Sequence, residues 1–309
     1  MTLEYRQLGK TAFRVSSIGL GCVTFGREID AATSFQVLDR AVERGVNLLD
    51  TAAVYGDGAS ETVIGGWLRE RRVRGQVVVA TKVSGRLDRK SIVRSVEGSL
   101  RRLGVEAIDL LQAHDWDPET PLEETLAAFE ELVRQGKVRS AGCSNWQAGQ
   151  LEQALLLARQ RGWQRLESVQ PMYNLVDRSI ERELLPLCAE NVLGVLSYSP
   201  LGAGFLTGKY SREGDVPRGT RFDVKPGHQR IYFTEHGFRV VDGLREIAAR
   251  TGHSMVRLAL GWVLTRPGIT SMLVGGRRPE HVDQAFQALE SRLDTGTLEL
   301  LDRLTSVPR

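Results

Sequence analysis

Short apolar runs recur along nearly the whole chain, separated by longer stretches with helical spacing. The runs are SIGLGC (17–22), NLLDTA (47–52), VVVATKV (77–83), DLLQAH (109–114), VRSAGCSN (138–145), SVQPMYN (168–174), GVLSYSP (194–200) and TSMLVGG (270–276). Their centres are apolar without strict alternation, as expected of strands buried on both faces of a parallel sheet. Between them, Leu122, Leu126, Phe129, Leu132 and Val133 share one helical face, and Ile92, Val93, Val96, Leu100 and Leu103 share another. The first of these helices has a readable start: Thr120 as cap, Pro121 in the first turn, and Glu123 three residues after the cap. Gly136 suits its C-terminal end.

Eight strand–helix units predict an α/β fold, the (β/α)8 TIM barrel. An open doubly wound sheet would need a glycine fingerprint after the first strand, and GLGCVTFG is not G-x-G-x-x-G. No linker or shift in composition divides the chain, so residues 1–309 read as a single domain. Residues 3–15, LEYRQLGKTAFRV, read as an N-terminal β-hairpin placed to close the barrel bottom. The longest departure is a loop after the seventh strand, 201–235, rich in Gly, Pro and charge. A loop of this length in a compact domain is usually functional or mobile.

Composition narrows the class. With 41% hydrophobic and 26% charged residues the chain has the balance of a globular protein with a large core. Its net charge of +3 comes from basic residues interleaved with acids, as in VRSVEGSLRR. That is a solvated surface and not a nucleic-acid face, which would show a basic block with interleaved aromatics. Cys22, Cys143 and Cys188 stand far apart, against both a disulfide framework and a zinc site, and no metal is expected. The start MTLEYRQLGK lacks an apolar h-region, and no apolar run approaches the ~20 residues of a membrane helix. The expected location is a reducing cytoplasm, with no membrane partner.

In a barrel of this kind the chemistry lies at the C-terminal strand ends. Taken in order, those ends carry Asp50 and Tyr55, Lys82, His114, Ser144 with Asn145, Gln170, Tyr198, and Gly275. Any one has a structural explanation, but Asp, Lys, His and a nearby Tyr on one rim form a chemical set. A phenol with a pKa of about 10 exchanges its proton poorly at neutral pH. A nearby ammonium, Lys82, is expected to lower the Tyr55 pKa, and Asp50 to pair with Lys82. His114 is expected to hydrogen-bond the substrate oxygen or the phenol. Together they would make a general acid that protonates a carbonyl oxygen while a hydride arrives at carbon. Gly56 and Gly58 would let the loop turn Tyr55 back to the rim, with Glu61 as its support.

These residues lie in a set of motifs that resembles the aldo-keto reductase family: LLDTAAVYGDGASE, VVVATKV, DLLQAH, GCSN, QPMYN, SYSPLGAGFLTGKY and LVGGRRPEHV. The resemblance runs through almost the whole chain. It implies a (β/α)8 barrel that uses NADP(H) without a Rossmann domain or a metal, with Asp50, Tyr55, Lys82 and His114 as catalytic tetrad. It also implies that Ser144, Asn145 and Gln170 bind the nicotinamide carboxamide and that Tyr198 stacks on the ring. Ser199, Leu201 and Gly202 would begin the loop that wraps the pyrophosphate, with Lys209 and Arg221 supplying charge. Arg277 and His281 would meet the 2′-phosphate and Gln284 the adenine, with Arg278 as an alternative to Arg277. The chain departs from members that carry Lys-Ser where Gly275 and Gly276 stand, which leaves NAD use open. Trp116 would either line the substrate pocket or pack beside it.

The implied activity is NADPH-dependent reduction of a small aldehyde or ketone to the alcohol. The alternative is a cofactor-binding regulatory protein that acts through a partner on the same barrel, as some relatives serve membrane channels. A metal-dependent barrel hydrolase would need clustered His and carboxylate ligands, and His114 is the only histidine at a strand end.

Overall fold

The computed structural model describes residues 3–290 and 292–305. Two short strands, β1 (Tyr5–Gln7) and β2 (Arg14–Ser16), pair antiparallel as the expected hairpin. Eight parallel strands then close into a barrel: β3 (Ile18–Gly21), β4 (Leu48–Asp50), β5 (Val78–Val83), β6 (Ile108–Ala113), β7 (Val138–Ser144), β8 (Leu166–Gln170), β9 (Gly194–Ser197) and β10 (Ser271–Gly275). Closure comes from β10 pairing with β3, with Met272 opposite Ile18 and Gly275 opposite Gly21. Each strand falls within or beside its apolar run. The sixth barrel strand starts earlier than its run, at Leu166, and ends before Pro171, which has no N–H to continue a ladder.

Six helices follow the first six barrel strands: α1 (Ala31–Glu43), α2 (Ala59–Arg71), α3 (Arg89–Leu103), α4 (Leu122–Arg134), α5 (Ala148–Arg161) and α6 (Leu184–Asn191). After β9 come two single turns, α7 (Arg221–Val224) and α8 (Gln229–Tyr232), then α9 (Glu235–Thr251) and α10 (Met255–Leu264). Beyond β10 lie α11 (Pro279–Glu290) and α12 (Thr295–Thr305). Capping is legible locally: Asp30 accepts from the Thr33 N–H at 2.8 Å, and Asp88 from the Ser91 N–H at 2.9 Å. The start of α4 differs from expectation. Pro121 stands just ahead of the helix, and the Thr120 hydroxyl donates to Asp117 Oδ2 at 2.6 Å instead of capping. Gly136, past the helix end, has φ +72° as expected of a C-terminal stop.

The barrel bottom is plugged. Leu8 and Val15 of the hairpin region pack with Leu48, Val78, Ala80, Leu110, Leu196 and Leu273, all fully or nearly fully buried. The segment 201–235 is not a featureless loop. Phe205, Tyr210, Phe222, Tyr232, Phe233 and Phe238 form an aromatic cluster, with ring centroids 4.9 Å apart for Tyr210–Phe222 and 5.1 Å for Phe222–Phe233. No helix among the described residues is long and apolar enough to cross a membrane.

Candidate functional site

Side chains along a barrel strand alternate between interior and exterior, so a residue two places beyond a plug residue also points inward, one layer nearer the C-terminal end. Leu48 is followed in this way by Asp50, Ala80 by Lys82, Leu110 by Gln112, and Leu196 by Tyr198. The polar residues therefore form a layer on top of an apolar one. Above that layer opens a cavity of about 970 Å³.

At its floor, Lys82 is fully buried and donates to both Asp50 oxygens, at 2.8 and 2.7 Å, and to the Thr51 carbonyl at 2.9 Å. Its Nζ is 3.4 Å from the Tyr55 hydroxyl. Burial works against the Lys82 charge, but Asp50 and Tyr55 outweigh it and raise the pKa above the ordinary lysine value. The expected fall in the Tyr55 pKa does not occur. Burial and the Asp50 carboxylate raise it more than Lys82 lowers it, so Tyr55 is a neutral phenol at physiological pH. The His114 ring meets Tyr55 edge-on, with centroids 5.7 Å apart. Burial and the Lys82 charge lower its pKa to about 4, so it is a neutral imidazole whose Nδ1 lies 2.8 Å from Ser84 Oγ.

The Tyr55 loop is held from behind. Gly56 and Gly58 have φ of +58° and +92°, and a Cβ on Gly58 would fall 2.5 Å from Arg102 Cδ. Glu61, fully buried at the start of α2, accepts from Thr81 Oγ1 at 2.6 Å and from Arg102 Nε at 2.7 Å. Thr81 adjoins Lys82, so this network ties the loop to the strand that carries the ammonium. That agrees with a supporting role for Glu61.

Ser144, Asn145 and Gln170 all line the cavity. The Ser144 hydroxyl donates to the Gln170 carbonyl at 2.8 Å, and Gln170 Nε2 to Asp50 Oδ1 at 2.7 Å. Asn145, with φ +60°, donates to the His114 carbonyl and Asp115 and accepts from the Tyr198 hydroxyl at 2.8 Å. Gln112 was missed: buried within DLLQAH, it lies 3.4 Å from both Asp50 Oδ1 and Gln170 Nε2. Its signal was the two-residue step from Leu110 to the layer of Asp50 and Lys82.

The rest of the cavity is cationic. Its lining includes Ser199, Leu201, Lys209 and Arg221 together with Gly275, Arg277, Arg278, His281 and Gln284. Lys82 sits beneath the cavity lining, behind Tyr55 and Asp50. Gly202 is buried, with φ +57° and a Cβ position 2.9 Å from the Tyr232 ring. His281 Nδ1 accepts from the Arg277 N–H at 3.1 Å, and its Nε2 lies 3.3 Å from Arg278 Nε. Arg277 and Arg221 both reach Glu28, a cavity residue not foreseen. Its only mark in the sequence was the charged pair in GREID after the first barrel strand. Trp116 does not line the cavity; it packs edge-on against Trp146 with centroids 4.8 Å apart. Among the described residues no group of His, Cys, Asp or Glu is placed to hold a metal ion.

Residues 17–306 match the Aldo/keto reductase family, which covers the barrel from its first strand through α12. "Aldo-keto reductase YhdN" of Bacillus subtilis (strain 168) is 35% identical over 91% of this chain and 87% of its own. "Uncharacterized oxidoreductase YrpG" of the same organism is 34% identical over 99% and 97%. "Probable voltage-gated potassium channel subunit beta" of Oryza sativa subsp. japonica is 33% identical over 99% and 96%. With a closed eight-stranded barrel, Asp50, Tyr55, Lys82 and His114 gathered at its C-terminal end, and this match along nearly its full length, the chain belongs to the aldo/keto reductase family, which supports an oxidoreductase activity on carbonyl compounds.

Proposed function

We propose that this protein is an NADP(H)-dependent reductase of small aldehydes or ketones with Tyr55 as general acid. The observation that carries the reading is the Tyr55 hydroxyl 3.4 Å from a buried ammonium that Asp50 clasps at 2.7 Å. The neutral phenol has a proton to give to a carbonyl oxygen as negative charge develops there. Lys82 then stabilises the phenolate, and Asp50 holds Lys82 in place. His114 is neutral, and in the tautomer protonated at Nε2 its Nδ1 accepts from the Ser84 hydroxyl and the Nε2–H is left to orient the carbonyl oxygen.

The cavity suits the cofactor. At about 970 Å³ it stands at the upper end of the usual range for ligand sites, and Lys209, Arg221, Arg277 and Arg278 give its lining the charge that phosphates need. Bound there, NADPH would supply a hydride to the carbonyl carbon. Ser144, Asn145 and Gln170 would hold the nicotinamide amide beside the phenol, and Tyr198 the ring face. Ser199, Leu201 and Lys209 would follow the pyrophosphate, and Arg277, His281 and Gln284 the adenosine end.

Tyr55→Phe tests the reading. Carbonyl reduction is expected to fall by about 10²–10⁴-fold while NADPH fluorescence titration stays near wild type. Turnover equal to wild type would remove Tyr55 as proton donor. A second reading, a regulatory protein that binds a partner on the same barrel, is favoured by the channel-subunit name of the rice relative. Absence of steady NADPH oxidation with reactive aldehydes in the intact protein would favour it.

A further inference from the structure

One acid stands among the cations of the cavity. Glu28 lies in the loop after β3, and its side chain is only 7% exposed. Three guanidiniums converge on it. Arg27, its neighbour in the chain, bonds Oε1; Arg221 donates to Oε1 at 2.9 Å; Arg277 lies 2.6 Å from Oε2. Arg277 also donates to the Gly219 carbonyl at 2.6 Å, so Glu28 and Arg277 together fasten the 219–221 stretch to the end of β10. Arg221 and Arg277 are also the groups proposed above for the cofactor's phosphates. Burial raises the carboxyl's pKa, but the arginines outweigh it and hold it below the ordinary glutamate value.

We propose that Glu28 is an internal rival of the cofactor's phosphates: its carboxylate engages Arg221 and Arg277, and a phosphate binds by taking those guanidiniums over. The proposal rests on the NADP(H) reading of the site. Each guanidinium has five donors in one plane and can touch two anions, yet two anions on one cluster repel each other. Part of the attraction that the cavity offers a phosphate is therefore spent in displacing Glu28.

The exchange leaves no stranded charge. Arg27 stays bonded to Glu28, and Arg27 Nε, buried and without a hydrogen-bond partner, is a donor in reserve. The loop need not move. The Glu28 N–H is fixed to the Thr24 carbonyl at 2.9 Å and the Gly26 N–H to the Ile29 carbonyl at 2.9 Å, so rotation of the Glu28 side chain suffices. When the phosphate leaves, Glu28 receives the freed guanidiniums. Such a rival weakens binding and speeds release, which matters where cofactor exchange limits turnover.

The test is Glu28→Gln in the full chain, with Kd and dissociation rate for NADPH read by fluorescence and inorganic pyrophosphate as a second probe. The variant should bind NADPH about tenfold more tightly, mainly through slower release, as expected when one partly screened like charge is removed. In Glu28→Gln, Arg277→Ala should cost more affinity than in wild type, because Arg277 is no longer neutralised. Equal or weaker NADPH binding by Glu28→Gln would overturn the proposal and make Glu28 a brace for the arginines. If neither protein binds NADPH but pyrophosphate binds the variant more tightly, the rivalry stands and the cofactor reading falls. Should Glu28→Gln not fold, Glu28→Ala is measured instead; loss of fold in both would also make Glu28 a brace and overturn the proposal.

Discussion

Tyr55 and His114 both stay uncharged beside a cation, and for different reasons. Burial and Asp50 keep the phenol protonated, while burial and Lys82 keep the imidazole deprotonated. A depressed histidine pKa acts on stability in the acid range. Unfolded His114 takes up a proton near its ordinary 6.5, whereas the native ring does so near 4. Between those values the unfolded state binds more protons, so this residue's contribution lowers stability as pH falls through the window and has no effect above it. An imidazole NMR titration should place the His114 midpoint near 4. His114→Gln should lose less stability than wild type between pH 6.5 and 4. A midpoint above 6 would show that neither burial nor Lys82 acts on the ring as the structure implies.

At the scale of elements, the eight strands were legible because a parallel strand buried on both faces must be an apolar run, and the proximity of Asp50, Tyr55, Lys82 and His114 because they stand at or just beyond the ends of those runs. Glu28 and Gln112 were not legible. Glu28 matters through Arg221 and Arg277, which lie far along the chain and meet it only when the barrel closes. Gln112 reads as an interruption of an apolar run until its neighbours Asp50 and Gln170 are brought to it. The Thr120 cap failed for a local reason, since Asp117 takes the hydroxyl first. The segment 201–235 was legible as unusual but not as folded, because its aromatics are spread unevenly and form a cluster only in three dimensions. That cluster divides the segment. Tyr210 and residues 222–238 hang on the cluster through Tyr210, Phe222, Tyr232, Phe233 and Phe238, whereas 211–221 is tied toward the cavity by Arg221 and by the Gly219 carbonyl. NADPH should therefore raise amide-exchange protection chiefly across 211–221 and little across 222–238. Equal change in both stretches, or none in the first, would show that the tie does not respond to the cofactor.

For the whole molecule, the barrel stacks an apolar plug beneath a polar layer, and only two residues along a strand separate them. In such barrels the lower end stabilises and the upper end reacts, so the two can be perturbed apart. Leu8 is the test position. It is fully buried, it packs into the plug, and its Cδ1 lies 2.5 Å from where a Cβ on Gly194 would stand. It belongs to the turn of the hairpin and lies outside the cavity lining. Leu8→Ala removes apolar contact at a point where strands of the closed barrel can collapse little to fill the space. The expected loss is about 2–5 kcal/mol of unfolding free energy, read from denaturant midpoints with an unchanged m value. At a temperature where the variant remains folded, kcat and KM for carbonyl reduction should stay within about twofold of wild type, because Leu48 and its neighbours still support the layer of Asp50 and Lys82. A stability loss as expected together with a large fall in kcat would mean that the plug sets the height and register of the polar layer. The two ends of the barrel would then have to be treated as one mechanical unit.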